Sequence, residues 1–266
     1  MKTALITGIS GQDGGYLAKL LIEKGYKVVG LSRSYRHLEL TNLEYLGISK
    51  EVIVEECDLM DYTRVSNIIK EYKPSEIYNL AAQSSVGISF KQPIGTIRFN
   101  TISLLNILEA VKEIDSSIKV YQASSSEMFG KVEELPIKEN TPLQPLSPYA
   151  VSKASAHFIA QNYRHSYNLF VSCGILFNHE SYLRSKNFFV KKVITECIKI
   201  SKGQQDKLVV GNIDIKRDFG YAPKYAEAIH KIMKHHKADD FIICSGKSVS
   251  LREIIEYVFQ KFNIGI

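Results

Sequence analysis

Short apolar runs alternate with segments of helical periodicity over the first two thirds of the chain. The runs, each typical of a buried strand, lie at 4–7, 27–31, 52–56, 76–80, 119–124 and 170–176. Apolar residues recur at helical spacing between them, over 13–24, 63–72, 97–113 and 148–165. Because strands that alternate with helices form parallel sheets covered on both faces, we predict a Rossmann-type α/β fold with a doubly wound parallel sheet of six strands.

The pattern becomes less regular after residue 176. It predicts helices at 188–202, 225–235 and 251–262, with short strands at 208–210 and 241–244. We therefore expect two parts, a large domain at 1–176 and a smaller C-terminal α/β lobe at 177–266 that is partly interleaved with it.

Composition narrows the class of protein. The 266 residues are 45% hydrophobic and 23% charged, which excludes a disordered chain, collagen and a coiled coil. No apolar stretch approaches the roughly 20 residues of a membrane span, so we expect a cytoplasmic protein without membrane contacts. The four cysteines contain no Cys-x-x-Cys pair, so we expect neither a disulfide framework nor a metal site.

The chain is moderately basic, with a net charge of +6 from 34 Lys and Arg against 28 Asp and Glu. Its densest basic cluster, 184–192, lies in a segment predicted as a loop followed by a helix, and no basic run of the chain resembles a nucleic-acid module. We therefore predict a phosphorylated small-molecule ligand and no nucleic-acid partner.

A glycine-rich turn follows the first predicted strand. Gly8, Gly11 and Gly14 lie where a helix begins, and a pyrophosphate can approach the backbone amides there. Arg33 and Ser34 follow the second strand, where no acidic residue is present to hold a ribose 2′-hydroxyl, so NADP is favoured over NAD. The alternatives are a merely tight turn and a solvated Arg33.

A second cluster carries reactive groups. Tyr149 and Lys153 lie one helical turn apart, so the lysine and a nicotinamide charge can lower the tyrosine pKa from about 10 towards that of a useful base. Ser125 and Glu127 follow the fifth strand, where they can hydrogen bond a substrate hydroxyl and act as acid and base. Taken singly, these residues are more typical of a surface helix pair, a helix cap or turn and a solvated carboxylate than of a catalytic site.

Together these residues carry a resemblance. The chain resembles the extended short-chain dehydrogenases/reductases, and among them most closely the GDP-mannose 4,6-dehydratase family. The similar segments are GISGQDGGYL at 8–17, CDL at 57–59, IYNLAAQS at 77–84, YQASSSE at 121–127, SPYA at 147–150, GILFNHES at 174–181 and RDFG at 217–220. The GQDG form of the turn and the FNHES string are much narrower signals than the dinucleotide-binding fold.

The resemblance implies an NADP-dependent lyase that converts GDP-mannose to GDP-4-dehydro-6-deoxy-mannose, a step towards GDP-fucose. Tyr149 would take the proton of the C4 hydroxyl, and Glu127 would abstract the C5 proton. Ser125, at a position that the family usually fills with Thr, would share the hydrogen bond to the C4 oxygen and assist loss of the C6 hydroxyl. Lys153 would bridge Tyr149 and the nicotinamide ribose.

The resemblance also implies binding residues. Those for the cofactor are Gly8, Gly11, Gln12, Asp13, Gly14, Arg33, Asp58, Leu59, Leu80, Ala81 and Ala82, together with Tyr149 and Lys153. Those for the GDP-sugar are Ser84, Asn178, Val190, Lys192 and Arg217. Residues 1–176 would thus bind NADP and residues 177–266 the sugar nucleotide. His179 and Glu180 are expected to be structural.

The resemblance further implies a homodimer or homotetramer, because in the family the region of 35–47 reaches across to a neighbouring subunit. Family members usually continue beyond Ile266, so the C-terminal lobe is expected to be truncated. Ser85 and Phe219 depart from the usual His and Trp of the family. Both changes are expected near the substrate and cofactor pockets. A dehydratase of another GDP-sugar such as GDP-manno-heptose is an open alternative.

Two further alternatives remain open. One is an NADP-dependent sugar-nucleotide reductase or epimerase, which would need Tyr149 and Lys153 but no acid/base at Glu127. The other is a catalytically silent NADP-binding protein.

Overall fold

Seven parallel strands form the central sheet of the computed structural model, which describes residues 1–33 and 40–265. In spatial order the strands are β3, β2, β1, β4, β5, β6 and β9. Their bounds in chain order are β1 (Thr3–Thr7), β2 (Lys27–Ser32), β3 (Val52–Glu56), β4 (Glu76–Asn79), β5 (Lys119–Ser125), β6 (Val171–Leu176) and β9 (Asp240–Ile243). The doubly wound parallel sheet predicted from the sequence is confirmed.

Helices cover both faces of this sheet. In chain order, the α-helices of the described residues are α1 (Gln12–Glu23), α2 (Thr41–Tyr45), α3 (Tyr62–Tyr72), α4 (Val86–Lys91), α5 (Pro93–Ile114), α6 (Pro148–Ser166), α7 (Phe189–Ser201), α8 (Ala222–Met233) and α9 (Leu251–Phe262). On one face α3, α5 and α6 bury apolar side chains such as Ile68, Leu104 and Ala156. On the other face α1 and α8 bury Leu17 and Ile229. The core is therefore two apolar layers with the sheet between them.

The sheet has one strand more than predicted. β9 pairs with β6 in parallel register, Cys173 opposite Asp240, so a segment from the C-terminal part completes the large sheet. α8 comes from the same part of the chain and packs on α1. The strand predicted at 208–210 is wrong, because those residues form no regular element. The strand predicted at 241–244 is present as β9, but a short apolar run does not show which strand it pairs with, or, as at 208–210, whether it pairs at all.

A second, smaller sheet was not foreseen. It consists of β10 (Ser248–Ser250), β8 (Lys216–Tyr221) and β7 (Asn178–Glu180), in that spatial order. β7 follows directly on β6 and pairs with β8, with Asn178 opposite Phe219. This pairing brings β8 to the carboxyl edge of the large sheet. Beside it, α7 and α9 bury Val193 and Val258 in a core of their own.

The start of α6 has a local cause. Ser147 caps the helix, with its Oγ accepting a hydrogen bond from the Ala150 N–H at 3.1 Å, and Pro148 occupies the first helical position. Tyr149 consequently lies in the first turn. Among the described helices, none has the length and apolar composition needed to cross a membrane.

Candidate active site

A cavity of about 1120 Å³ opens at the carboxyl ends of the central strands. It reaches from Arg33 and Asp58, after β2 and β3, to Arg217 and Phe219 on β8. Most of the residues predicted to form the site line it: Gly8, Gly11, Gln12, Asp13, Gly14, Arg33, Asp58, Leu59, Leu80, Ala81, Ala82, Ser84, Ser125, Glu127, Tyr149, Lys153, Asn178 and Arg217.

The glycine turn between β1 and α1 leaves space only for backbone. Gly8 has a φ of +73°, and a Cβ on it would lie 3.0 Å from the Ala81 nitrogen. A Cβ on Gly14 would lie 2.3 Å from the Gly8 oxygen. The N-cap of α1 is Gly11, which places no side chain over the first N–H groups of the helix. This end of the cavity therefore fits a pyrophosphate.

Arg33 and Asp58 line the part of the cavity that follows β2 and β3. Arg33 is exposed and lines the cavity, as a contact to a ribose 2′-phosphate requires. Ser34, its predicted companion, lies outside the described residues. Asp58 accepts a hydrogen bond from the Met60 N–H at 3.0 Å, so its carboxylate also holds the turn after β3.

Tyr149 is buried, with only 8% of its surface exposed. Burial raises the pKa of its phenol to about 12, although a hydrogen bond from Ser125 and the charge of Arg184 act in the opposite direction. The shift is opposite to the one expected from the sequence. In this structure the phenol of Tyr149 thus holds its proton more strongly than a free tyrosine does.

Lys153 lies one turn further along α6 and is also buried. Its Nζ donates a hydrogen bond to the Ala123 carbonyl on β5 at 2.8 Å. Burial lowers the pKa of this ammonium to about 8, with Asp13 acting against the shift. The sequence predicted that Lys153 supplies the positive charge near the phenol, but the cation that lowers the pKa of Tyr149 here is Arg184.

Glu127 follows β5 in a short 3-10 turn, Ser126–Phe129. Ser125 caps this turn, its Oγ accepting from the Glu127 N–H at 3.3 Å. The Glu127 carboxylate is 3.8 Å from Nε of Arg217 on β8. A predicted acid/base and a predicted phosphate ligand are therefore neighbours, although Glu127 follows β5 of the large sheet and Arg217 lies on β8 of the small sheet.

Two predicted substrate residues lie elsewhere. Val190 and Lys192 lie in the first turns of α7 and do not line the cavity. Nζ of Lys192 instead donates to the Val209 carbonyl at 2.8 Å. The cavity includes Phe188 and Phe189, just before them in the chain.

Two cavity residues were missed as functional candidates. Arg184 stacks its guanidinium 3.6 Å from the centre of the Phe188 ring, and its Nε lies 3.3 Å from Glu180. His179, expected to be structural, lies 2.9 Å from the Asp13 carboxylate and lines the cavity beside it. The basic cluster at 184–192 and the FNHES string were the available signals, but neither indicates which side chain points inward.

One buried group of side chains has a composition suited to metal binding. His157, Cys173 and Asp240 present ligand atoms within 4.8 Å of one another. Asp240 is already paired with Arg164 at 3.0 Å, and His157 shares a hydrogen bond with Ser124 at 2.9 Å. The cluster thus has partners within the protein, and the absence of a metal site stays a prediction.

Comparisons with known proteins agree with this geometry. The sequence profile of the GDP-mannose 4,6 dehydratase family matches residues 5–266. GDP-mannose 4,6 dehydratase of Cricetulus griseus is 44% identical over 267 residues, which cover 97% of this chain and 72% of that relative.

Two solved structures share the fold. One is dTDP-glucose 4,6-dehydratase from Bacillus anthracis in complex with NAD, which is 23% identical with a TM-score of 0.87. The alignment covers all of this chain, 100%, and 82% of that one. The other is RMD from Pseudomonas aeruginosa complexed with NADPH, 25% identical over 100% of this chain and 85% of that one, with a TM-score of 0.83.

Proposed function

The chain belongs to the GDP-mannose 4,6-dehydratase family, and from this premise we propose that it converts GDP-mannose to GDP-4-dehydro-6-deoxy-mannose with NADP as cofactor. The observation that carries the proposal is the convergence of Tyr149, Ser125 and Glu127 on one cavity that also contains the glycine turn. A dehydratase needs these groups beside a dinucleotide, because it must oxidise C4 before C5 becomes acidic enough to lose a proton.

The residues divide the work as follows. Tyr149 accepts the proton of the C4 hydroxyl, and Ser125, hydrogen bonded to Tyr149, orients that hydroxyl. Glu127 removes the C5 proton and assists departure of the C6 hydroxyl as water. NADP, when bound, would be the acceptor for the C4 hydride and the donor of that hydride to C6, while C5 regains one proton, so no net redox change results. Lys153 holds its positive charge beside β5 and orients the ribose.

The burial of Tyr149 sets a condition on this mechanism. With its pKa at about 12 the phenol is a poor base, so additional positive charge must lie near it when the proton is taken. The nicotinamide ring carries such a charge. Arg184 already contributes from the protein side.

NADP rather than NAD is our proposal for the cofactor, and the nicotinamide class is supported by two neighbours in fold, which bind NAD and NADPH. Arg33, which is exposed and lines the cavity, supports binding of a cofactor with a 2′-phosphate. Replacing Arg33 with Asp should shift the preference towards NAD, and an unchanged preference would remove Arg33 from this role.

The sugar nucleotide is proposed to occupy the end of the cavity formed by the 177–266 part, with residues 1–176 binding NADP. Arg217 and Asn178 would hold the diphosphate there, since a guanidinium can bind two phosphate oxygens at once. The roles proposed for Val190 and Lys192 have no support from the cavity lining. We further propose a homo-oligomer that acts in the cytoplasm.

Incubating the purified chain with GDP-mannose and NADP tests the function. We expect a 4-keto product, detected by absorbance of the ketone in alkali, and a higher kcat/KM with GDP-mannose than with GDP-manno-heptose. The reverse ranking would identify a dehydratase of the heptose derivative. Bound NADP without a ketone from either sugar would indicate the catalytically silent NADP-binding protein. In a second incubation with NADPH and a 4-keto sugar nucleotide, net oxidation of NADPH would indicate a reductase.

A further inference from the structure

Asp13 puts a negative charge where the cofactor's own negative charge is expected. It is in the first turn of α1 and lines the cavity, with 27% of its side chain exposed. The N–H groups of that turn form the proposed pyrophosphate site. An uncompensated carboxylate at this place would repel a pyrophosphate and weaken its binding.

His179 is positioned to compensate that charge. Its Nδ1 is 2.8 Å from the Phe177 carbonyl, which can only accept, so Nδ1 carries a hydrogen. Its Nε2 is 2.9 and 3.0 Å from the two oxygens of Asp13. Both ring nitrogens therefore face acceptors, which favours the doubly protonated imidazolium.

The surroundings of the pair hold it in place. The imidazole stacks on Tyr225 of α8, with ring centres 4.3 Å apart. Gln12 donates to the Asp13 carboxylate at 3.2 Å and to the His179 carbonyl at 3.3 Å. The Ser181 hydroxyl donates to Gln12 at 2.7 Å. The first turn of α1 and residues 179–181 are thus joined by several bonds.

Charged neighbours do not cancel the effect. Three charged groups face His179. Asp13 comes from α1, Glu180 from β7, and Arg184 from the loop after β7. Burial acts to lower the pKa of His179, yet the charge and hydrogen bond of Asp13, together with the hydrogen bond to the Phe177 carbonyl, outweigh burial and raise it. Burial likewise opposes ionisation of Asp13, but His179 leads the groups that lower its pKa to about 2.

We propose that His179 is a positioning residue whose imidazolium neutralises Asp13 and thereby allows the N-terminus of α1 to accept the pyrophosphate of the dinucleotide. The pair also ties β7, which carries Asn178, to the cofactor turn. The inference rests on the proposed function only in assuming a dinucleotide at this turn.

A charge-removal series tests the proposal, with NADPH affinity of the cofactor-stripped protein as the readout. His179→Gln should weaken binding about 10-fold, a typical size for a lost charge interaction at a partly buried site. Adding Asp13→Asn to that variant should restore most of the affinity, because the uncompensated carboxylate is gone. His230→Gln on α8, outside the cavity lining, serves as the matched control, and thermal unfolding verifies that each variant is folded.

A pH series gives a second readout that a merely structural role would not move. The affinity of the wild type should fall as the pH rises through the raised pKa of His179, above the usual 6.5, and approach that of His179→Gln. Lys153 titrates near the same cavity with a pKa of about 8, but it is present in both proteins. The ratio of the two dissociation constants therefore isolates His179.

The outcomes are separable. Equal affinity of wild type and His179→Gln would overturn the inference, as would a double variant that binds no better than the single one. A constant ratio across the pH series would also overturn it. A wild type that binds neither NADPH nor NADH would contradict the proposed function itself.

Discussion

Burial shifts the two reactive groups of α6 in opposite directions. The phenol of Tyr149 holds its proton more strongly than a free tyrosine, while the ammonium of Lys153 holds its proton less strongly. Each shift disfavours the charged form, as burial requires. Both Tyr149 and Lys153 are therefore expected to change their ionisation when a charged ligand binds in the cavity.

The buried ammonium of Lys153 should cost stability at neutral pH. Its folded-state pKa of about 8 is below the usual 10.5, so the cost is full below pH 8 and is relieved as the pH rises towards 10.5. We expect Lys153→Met to raise the free energy of unfolding by about 2 kcal/mol at pH 7, with a difference that shrinks towards pH 10.

The substitution leaves the Ala123 carbonyl with a partner, since Gln122 also donates to it, at 3.1 Å. Urea unfolding at several pH values measures the difference, with the exposed Lys50→Met as control. Activity should be lost at the same time. A Lys153→Met protein less stable than the wild type at pH 7 would contradict the expected sign.

Glu127 and Tyr149 should differ in how they stop the reaction. Glu127→Gln blocks removal of the C5 proton but not oxidation at C4, so reduced cofactor should accumulate when GDP-mannose is added. Tyr149→Phe should prevent both steps. Each change should lower product formation by about 10²- to 10⁴-fold. Absorbance of the reduced nicotinamide distinguishes the variants. If neither variant accumulated reduced cofactor, this division of roles would be refuted.

At the scale of elements, the turn between β1 and α1 depends on contacts that leave no room for a side chain. Gly14 lies in α1 with its Cα facing the backbone of Gly8 and Ile9, where a Cβ would be 2.3 and 2.9 Å from backbone atoms. Gly15, its neighbour, faces only side chains, the nearest being a methyl of Leu46 at 3.2 Å. The two positions are a matched pair.

Gly14→Ala should therefore distort the turn, lower the unfolding free energy by about 2 kcal/mol or more, and abolish cofactor binding. Gly15→Ala should change stability by less than about 1 kcal/mol, because the Leu46 side chain can move and alanine favours the helix. Thermal unfolding and NADPH titration of both proteins provide the check. Similar behaviour of the two variants would show that backbone contact is not the deciding factor.

Large apolar side chains are exposed on one surface of the protein, which favours self-association. Phe90 on α4, Ile94 on α5 and Phe158 on α6 are 61%, 80% and 56% exposed, and these three helices pack together. Large exposed apolar side chains favour contact with another chain. The loop from which the sequence predicted subunit contacts, 35–47, falls partly outside the described residues.

We expect light scattering at micromolar concentration to give the mass of a symmetric dimer or tetramer. Phe158→Asp should shift the mass towards that of the monomer, because it would place a charge in the expected contact between subunits. Tyr167→Asp, at the exposed residue that follows α6, should shift the mass less. A monomer mass for the wild type with NADP present would rule out the oligomer.

By itself, the sequence determined those features that depend on neighbouring residues. Apolar runs bounded by turns predicted six strands of the large sheet within about a residue or two, because strand formation follows burial and local spacing. The glycine turn was equally local, and so is the Ser147 cap of α6, which begins at Pro148. Most predicted site residues line the cavity, since carboxyl ends of parallel strands meet at one edge.

Contacts between residues that are far apart in the sequence could be identified only from the tertiary structure. Asp13 and His179 are 166 positions apart, and β9 reaches β6 from the far end of the chain. The same holds for Glu127 beside Arg217 and for the burial that raises the pKa of Tyr149. Spacing along a chain constrains contacts within a few residues, whereas long-range contacts and desolvation follow from sheet order and packing.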